Sequence, residues 1–559
     1  MNFLKDQRVL VLGLGDSGLA MARWCVAHGA HVTVWDSRGP PPQAAALQAE
    51  VPTARLIGGE LLPAQLAGFQ LVLKSPGLAP GDLRVASLLQ AARATAIAVL
   101  GELDLFAHAL ADLQRSHDYK PRVLAITGTN GKTTTTAMTA LLVARAGRRV
   151  ASAGNIGPTL LDTLAAALEA HGRSPATLPP PAEGEAPIGD GLAASGEPLP
   201  EVWVLELSSF QLEGGGFGLN AGSPFEPDAA VVLNLTQDHL DWHGTMAAYT
   251  AAKARVYGQL AGSAAGRRSV MVVNRDDPRV MALVPPPPSS PAAVKGKGKV
   301  KGQPRLRQVL SFGLDTPRQP GDFGLVVENG MAWLVRALPA DESIKVRKGD
   351  AAEIHLQRLM PADALRVRGR HNAANALAAL ALATAIGCPL ALLLHGLRQY
   401  TGEAHRLQFV ATVGDVEAYD DSKGTNVGAT VAALQGLGAD KAPGRLVLIL
   451  GGDGKGQDFT PLGAPIARFA RAVATVGRDA PAIEAALTAT QGPALQGVAL
   501  QRHATLQAAV DWCFEQARPG DAVLLSPACA SQDMFRNYSH RAEVFVAAVQ
   551  ARAGDGGGA

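Results

Sequence analysis

Val123-Leu124-Ala125-Ile126-Thr127-Gly128-Thr129-Asn130-Gly131-Lys132-Thr133-Thr134 is the stretch from which the rest of the chain can be read. An apolar β-branched run passes into a glycine loop, and Lys-Thr then opens a helix. That order, strand then glycine loop then helix, cradles the phosphates of ATP. The loop's backbone N–H groups meet the β-phosphate, Lys132 reaches the β/γ oxygens, and the Thr133 hydroxyl can ligate Mg²⁺. Ile126 stands where the usual phosphate loop has its first glycine, which leaves a compact GTNGKTT.

Outward from this loop, short apolar strands alternate with Ala/Leu-rich helical segments. Strands are expected at Arg8–Leu14, His31–Trp35, Gln70–Leu73, Val123–Thr127, Val202–Leu207, Ala229–Leu235, Arg445–Leu450 and Ala522–Leu525. Near-continuous apolar strands separated by helices predict α/β domains with parallel sheets covered on both faces. Ligands then bind beyond the carboxyl ends of the strands. The first strand ends in Gly13-Leu14-Gly15-Asp16-Ser17-Gly18 and the second in Asp36-Ser37-Arg38. This pattern suits a dinucleotide, another nucleotide diphosphate or a plain tight turn. Lys74-Ser75-Pro76-Gly77 can close the same crevice. After later strands come Glu206 in VLELSSFQLE, His239 in NLTQDHLDWHG and Lys253 in YTAAKARVYG. Brought to one sheet edge beside ATP, a carboxylate, an imidazole and a lysine could hold a second metal and a transferred phosphoryl group. Taken singly, His239 also reads as a helix cap and Lys253 as an exposed helix lysine.

Composition bounds the function. At roughly 150 residues per domain, 559 residues that are 47% hydrophobic give three or four domains, each with its own core. Lys plus Arg total 51 against 49 Asp plus Glu, so the formal charge of +2 gives no global attraction for nucleic acid or anionic membrane. Cys25, Cys388, Cys513 and Cys529 form no CxxC pair, which suits a reducing cytoplasm. Asp6 ahead of the first apolar run is unlike a signal peptide. Ala376–Leu394 is uncharged, but Gly387-Cys388-Pro389 interrupts it, and two helices joined by a turn are expected. With 61 Gly and 37 Pro in the chain, the excess falls in two Pro/Gly-rich insertions, near 171–200 and 284–307.

GTNGKTT and DHLDxH together resemble the Mur ligases, ATP-dependent amide-forming enzymes of peptidoglycan precursor synthesis, over nearly the whole chain. Gly154-Asn155-Ile156-Gly157, LELSSFQLE, Thr401–Arg406, DSKGTN at 421–426, LGGDGKG from Leu450 and Leu525–Ser531 look like the branch that adds D-glutamate. The resemblance implies three α/β domains. They are a Rossmann-like UDP-binding domain (1–100), a central P-loop ATPase-like domain (101–402) and a C-terminal Rossmann-like domain (403–559). It further implies that ATP phosphorylates the carboxylate of UDP-N-acetylmuramoyl-L-alanine and that the amine of D-glutamate attacks the acyl phosphate.

By the same resemblance Gly128–Thr134, Asn375, Arg406 and Asp421 hold ATP. Gly15, Asp16, Ser17, Asp36, Ser37, Arg38, Ser75, Gly77, Asn155 and Gln211 hold the UDP-sugar. Lys423, Thr425, Ser531 and Tyr538 hold D-glutamate. Thr133, Glu206, His239 and a carbamylated Lys253 ligate Mg²⁺, and Lys132, His239, Lys253 and Lys423 carry the chemistry. Many relatives have Phe at the position of Tyr538. A cytoplasmic monomer without nucleic-acid or membrane partners is expected. The other readings are a sister ligase for another amino acid, an NAD-dependent oxidoreductase, which would leave the phosphate loop idle, and a non-enzymatic nucleotide sensor.

Overall fold

The computed structural model describes residues 3–79, 81–155, 157–172, 197–213, 225–258, 269–285, 307–340, 353–367, 369–489 and 497–555. Most of the two Pro/Gly-rich stretches lies outside them. The first of three sheets is formed by β1 (Arg8–Leu12), β2 (His31–Trp35), β3 (Arg55–Ile57), β4 (Leu71–Lys74) and β5 (Ala98–Leu100). All pairings are parallel in the order β3-β2-β1-β4-β5. The helix Asp16–Ala27 starts directly after the glycine loop. Gly18 has no alternative here, because a Cβ would lie 2.0 Å from the Gly13 carbonyl oxygen.

The second sheet comprises β6 (Arg122–Thr127), β7 (Val150–Gly154), β8 (Val202–Glu206), β9 (Ala229–Val232), β10 (Val270–Asn274), β11 (Gln308–Phe312), β12 (Phe323–Glu328), β13 (Met331–Pro339) and β14 (Ile354–Pro361). Their order is β14-β13-β12-β11-β10-β9-β6-β8-β7. Both faces of β8 are covered, and every residue of Val-Trp-Val-Leu-Glu is buried. Ala376–Leu394 forms parts of two helices, Arg370–Ala385 and Leu390–Gln399, with Gly387 at φ 84° between them. The alanines of the first are buried because small side chains let it pack closely on the phosphate-loop helix Lys132–Arg145. Among the described residues no helix is long and apolar enough to cross a membrane.

The third sheet holds β15 (Gln408–Val413), β16 (Val416–Asp420), β17 (Leu446–Gly451), β18 (Ala470–Val476), β19 (Ala499–Arg502) and β20 (Ala522–Leu525), in the order β15-β16-β20-β17-β18-β19.

Two of the sheets carry antiparallel edges on the parallel cores that strand composition predicts. β12, β13 and β14 run antiparallel at one edge, and β15 pairs antiparallel with β16. The hairpins turn on Asn329-Gly330 (φ 52° and 80°) and Gly414-Asp415 (φ 54° and 61°). Two successive left-handed residues join antiparallel strands in register. Asn-Gly between two apolar runs was a legible signal that strand composition alone overlooks.

The helix Glu102–His117 stitches the first sheet to the second. Phe106 meets Trp203 of β8 edge-on, ring centroids 5.1 Å apart, and one hydrophobic core runs through both domains.

Candidate active site

Two cavities lie at the carboxyl ends of the strands. The first, about 460 Å³, is lined by Gly15, Asp16, Ser17, Asp36, Ser37 and Arg38 from the first domain, with Ser75 and Gly77. Asn155 and Gln211 line it from the central domain. Every residue assigned to the sugar nucleotide thus faces one space. Asp36 receives a hydrogen bond from the backbone N–H of Leu14 (2.7 Å) and pairs with Arg38, which holds its carboxyl far below the usual range. Ser75 donates to the Gly13 carbonyl at 2.8 Å, so the β4 loop closes on the glycine loop. The Ser17 hydroxyl donates to Glu102 (2.8 Å), a carboxylate buried under the helix start that sequence reading passed over. Burial pushes the Glu102 pKa up.

The second cavity, about 330 Å³, separates the central and C-terminal domains. Asn130, Gly131 and Thr134 of the phosphate loop line one side, and Arg406, Asp421 and Lys423 the other. Asn375 enters from the helix Arg370–Ala385, so close that a Cβ on Gly131 would lie 2.5 Å from its Oδ1. At φ 84°, Gly131 suits the backbone the loop needs. Lys132 Nζ donates to the carbonyls of Gly128 (3.0 Å) and Thr129 (2.8 Å), and burial lowers its pKa. Asp421 Oδ2 accepts from the Ser526 hydroxyl (2.7 Å), and burial raises its pKa to about 7.

Glu206 lies behind Asn155 of the first cavity and acts electrostatically on Lys132 of the phosphate loop. Its Oε1 accepts from Asn155 Nδ2 at 2.9 Å, whereas its buried Oε2 has no hydrogen-bond partner. Thr133 is buried nearby in the phosphate-loop helix. His239 packs edge-on against Phe210 (4.6 Å), and burial lowers its pKa to about 4. Its backbone also takes the N-cap position of a one-turn helix at φ 53°, as the cap reading of His239 expects. Lys253 is 1% exposed rather than a surface lysine. Its Nζ donates to the Gly128 carbonyl (2.9 Å) and lies 4.7 Å from the Tyr249 ring centroid. Burial, with Lys132 nearby, drives its pKa far down. The orphaned Glu206 Oε2 and the Thr133 hydroxyl are oxygen donors of the kind a hard cation takes, whereas charged lysines would oppose one. Among the described residues, no three His, Cys, Asp or Glu side chains cluster as a ready metal site.

Lys423 Nζ sits 3.7 Å from the Tyr538 ring centroid; burial raises the Tyr538 pKa, but the adjacent Lys423 charge outweighs it and the net shift is downward. Ser531 is buried at the turn before this ring, and Thr425 follows Lys423 in the same loop. Two residues of this cleft were missed. Lys455, left-handed at φ 51° just past β17, lies close enough to depress the His239 pKa, and its place after a strand was the available signal. Asn426, within DSKGTN, exchanges side-chain hydrogen bonds with Asn130 (2.9 and 3.1 Å) and donates to Asp238 (3.3 Å).

Residues 7–101 match the family model described as Mur ligase MurD-like, N-terminal domain. Residues 126–303 match the Mur ligase middle domain, and 405–529 the Mur ligase glutamate ligase domain. Curated relatives named UDP-N-acetylmuramoylalanine--D-glutamate ligase run the full length. That of Albidiferax ferrireducens is 55% identical over 98% of this chain and 97% of its own. That of Polaromonas sp. is 47% identical over 100% of both, and that of Burkholderia ambifaria 52% over 98% of both. The same fold occurs in UDP-N-acetylmuramate-alanine ligase MurC from Thermotoga maritima, with TM-score 0.51, 17% identity and coverage of 97% and 99%. It occurs also in MurF ligase from that organism in complex with ADP, with TM-score 0.50, 16% identity and coverage of 98% and 96%. With three family domains in sequence and half-identical relatives spanning its length, the chain belongs to the Mur ligase family.

Proposed function

We propose that the protein is the cytoplasmic ligase that joins D-glutamate to UDP-N-acetylmuramoyl-L-alanine, converting ATP to ADP and phosphate. One observation carries this beyond the relatives' names. Asn155 faces the sugar-nucleotide cavity and donates to Glu206, whose charge also acts on Lys132, so one buried carboxylate links the lining of the first cavity to the phosphate-loop lysine. A substrate reaching from that cavity toward this lysine brings its carboxylate to the γ-phosphoryl group.

A carboxylate is a poor electrophile, and phosphorylation gives it a leaving group. Attack by the D-glutamate amine forms the amide bond and releases phosphate. Domain 1–100 takes the UDP moiety. Lys132 draws charge off the transferring phosphoryl oxygens, while Arg406 and Asn375 orient the nucleotide across the cleft. Lys423, which lines the second cavity, would meet the anionic amino acid together with Thr425, Ser531, Tyr538 and Lys455. Glu206 Oε2, Thr133, His239 and a carbamate on Lys253 would hold Mg²⁺, which supplies further neutralisation among anionic reactants. Asp421 and Lys423 come from the C-terminal domain, so its seating completes the site and shields the acyl phosphate from water.

Substrate-dependent ADP release tests this. With UDP-N-acetylmuramoyl-L-alanine, Mg²⁺-ATP and one amino acid at a time, turnover is expected with D-glutamate. Turnover with L-lysine, L-alanine or meso-diaminopimelate but not D-glutamate would overturn the reading.

A further inference from the structure

Two arginines at the mouth of the sugar-nucleotide cavity are held in the same unusual way. In the loop after β2, Asp36 accepts from the backbone N–H of Arg38 (2.9 Å) and from its Nε (2.9 Å) and Nη2 (2.7 Å). In the loop after β4, Asp82 accepts from the backbone N–H of Arg84 (3.0 Å) and from its Nε (2.9 Å) and Nη2. β2 and β4 flank β1 on opposite sides, so the two Asp-x-Arg units face each other across the carboxyl end of β1. Arg84 closes the gap, since its Nη1 donates to the Ser37 hydroxyl at 2.9 Å. Ser37, Arg38 and Arg84 all line the cavity. Nothing in the glycine pattern or the Lys74–Gly77 loop marks Arg84; only the fold carries it there.

This geometry has a chemical bias. Side-on pairing occupies Nε and one Nη2 proton of each arginine and leaves the outer edge for a ligand. Two arginines and two aspartates sum to no net charge, so the mouth presents fixed N–H donors without a net positive field. Such donors suit a neutral planar acceptor better than a diphosphate, whose natural place is the N-terminus of the helix Asp16–Ala27. Each side chain is about half exposed, 53% for Arg38 and 55% for Arg84, yet pre-ordered by its aspartate, which lowers the entropy lost on binding.

We propose that Arg84, acting with Ser37, donates to a carbonyl oxygen of the uracil base and sets the base preference of the sugar-nucleotide site; this rests on reading that site as one for UDP. Uracil carries a carbonyl at C4, where cytosine carries an amine. A donor aimed at that edge favours the first and opposes the second.

Calorimetric titration of the full chain with UDP, CDP and ADP tests the proposal. The wild type is expected to prefer UDP over CDP. Arg84→Ala should weaken UDP by about tenfold, the equivalent of one lost charged-donor hydrogen bond, while leaving CDP and ADP unchanged. Arg84→Lys should not restore the preference, because an ammonium cannot make the side-on pair with Asp82. An unchanged ratio of UDP to CDP affinity in Arg84→Ala would overturn the role of Arg84 and leave the UDP-sugar reading standing. An equal loss of ADP affinity would also overturn it, since the effect would then lie on the fold. Absence of UDP binding by the wild type would remove both readings.

Discussion

Lys253 illustrates what a single residue discloses and what it withholds. Its position in the helix Met246–Ala254 let the sequence place it on either an exposed or an inward face. The fold chooses the inward face and sets the amine against the Gly128 carbonyl, beside Lys132. A buried amine pushed toward its neutral form retains the lone pair with which it can add to CO₂, losing a proton to give a carbamate. Lys253→Ala is therefore expected to lower turnover on the order of 100-fold, and added bicarbonate should not rescue it. Wild-type turnover in that variant would remove Lys253 from the site. Asn155 makes a comparable point. Its motif assigned it to the sugar side, and the structure adds that it also restrains Glu206.

Among the elements, the loops after strands carry almost all of the site, and the helices that follow hold them in place. The helix Val427–Asp440 begins at Asn426, whose Oδ1 accepts from the backbone N–H of Ala429 at 2.9 Å. The same side chain grips Asn130 of the phosphate loop, so one residue both caps its helix and ties the C-terminal domain to the ATP site. Serine can replace the cap but not the amide donor. Asn426→Ser should keep nearly wild-type thermal stability while kcat falls about thirtyfold, from two lost hydrogen bonds near 1 kcal/mol each. Asn426→Ala should lose about 1 kcal/mol of stability as well. Melting curves with steady-state rates separate the two roles, and a serine variant as fast as the wild type would mean the amide pair does no more than follow closure. The antiparallel edges belong to this scale too. A two-residue left-handed turn between two short runs specifies a hairpin, whereas a search for continuous apolar runs detects only fully covered strands.

For the whole molecule, the cleft trades stability for function. Burial raises the Asp421 pKa to about 7, above the ordinary carboxylate range it would show unfolded. Folding therefore favours its protonated form. That contribution is full below the ordinary range and is lost as pH rises through about 7. Asp421→Asn cannot titrate, so it should melt above the wild type at pH 8, by at least about 3 °C, with the gap closing toward pH 4. Its turnover should fall at the same time. A melting difference independent of pH would mean that Asp421 is not the group responsible. The sequence by itself determined the phosphate loop, the sheet-and-helix alternation and the interrupted alanine-rich segment, because these are written in local spacing, while the residues assigned to each cavity came from the family resemblance. Tertiary structure alone decided that Lys253 is buried, that Glu206 meets Asn155 with one oxygen left without a partner, that Asn426 meets Asn130 and that Arg84 reaches Ser37. Each of these joins segments far apart in the chain. Local spacing fixes which residues follow a strand, while only strand order and domain packing fix which strand ends meet.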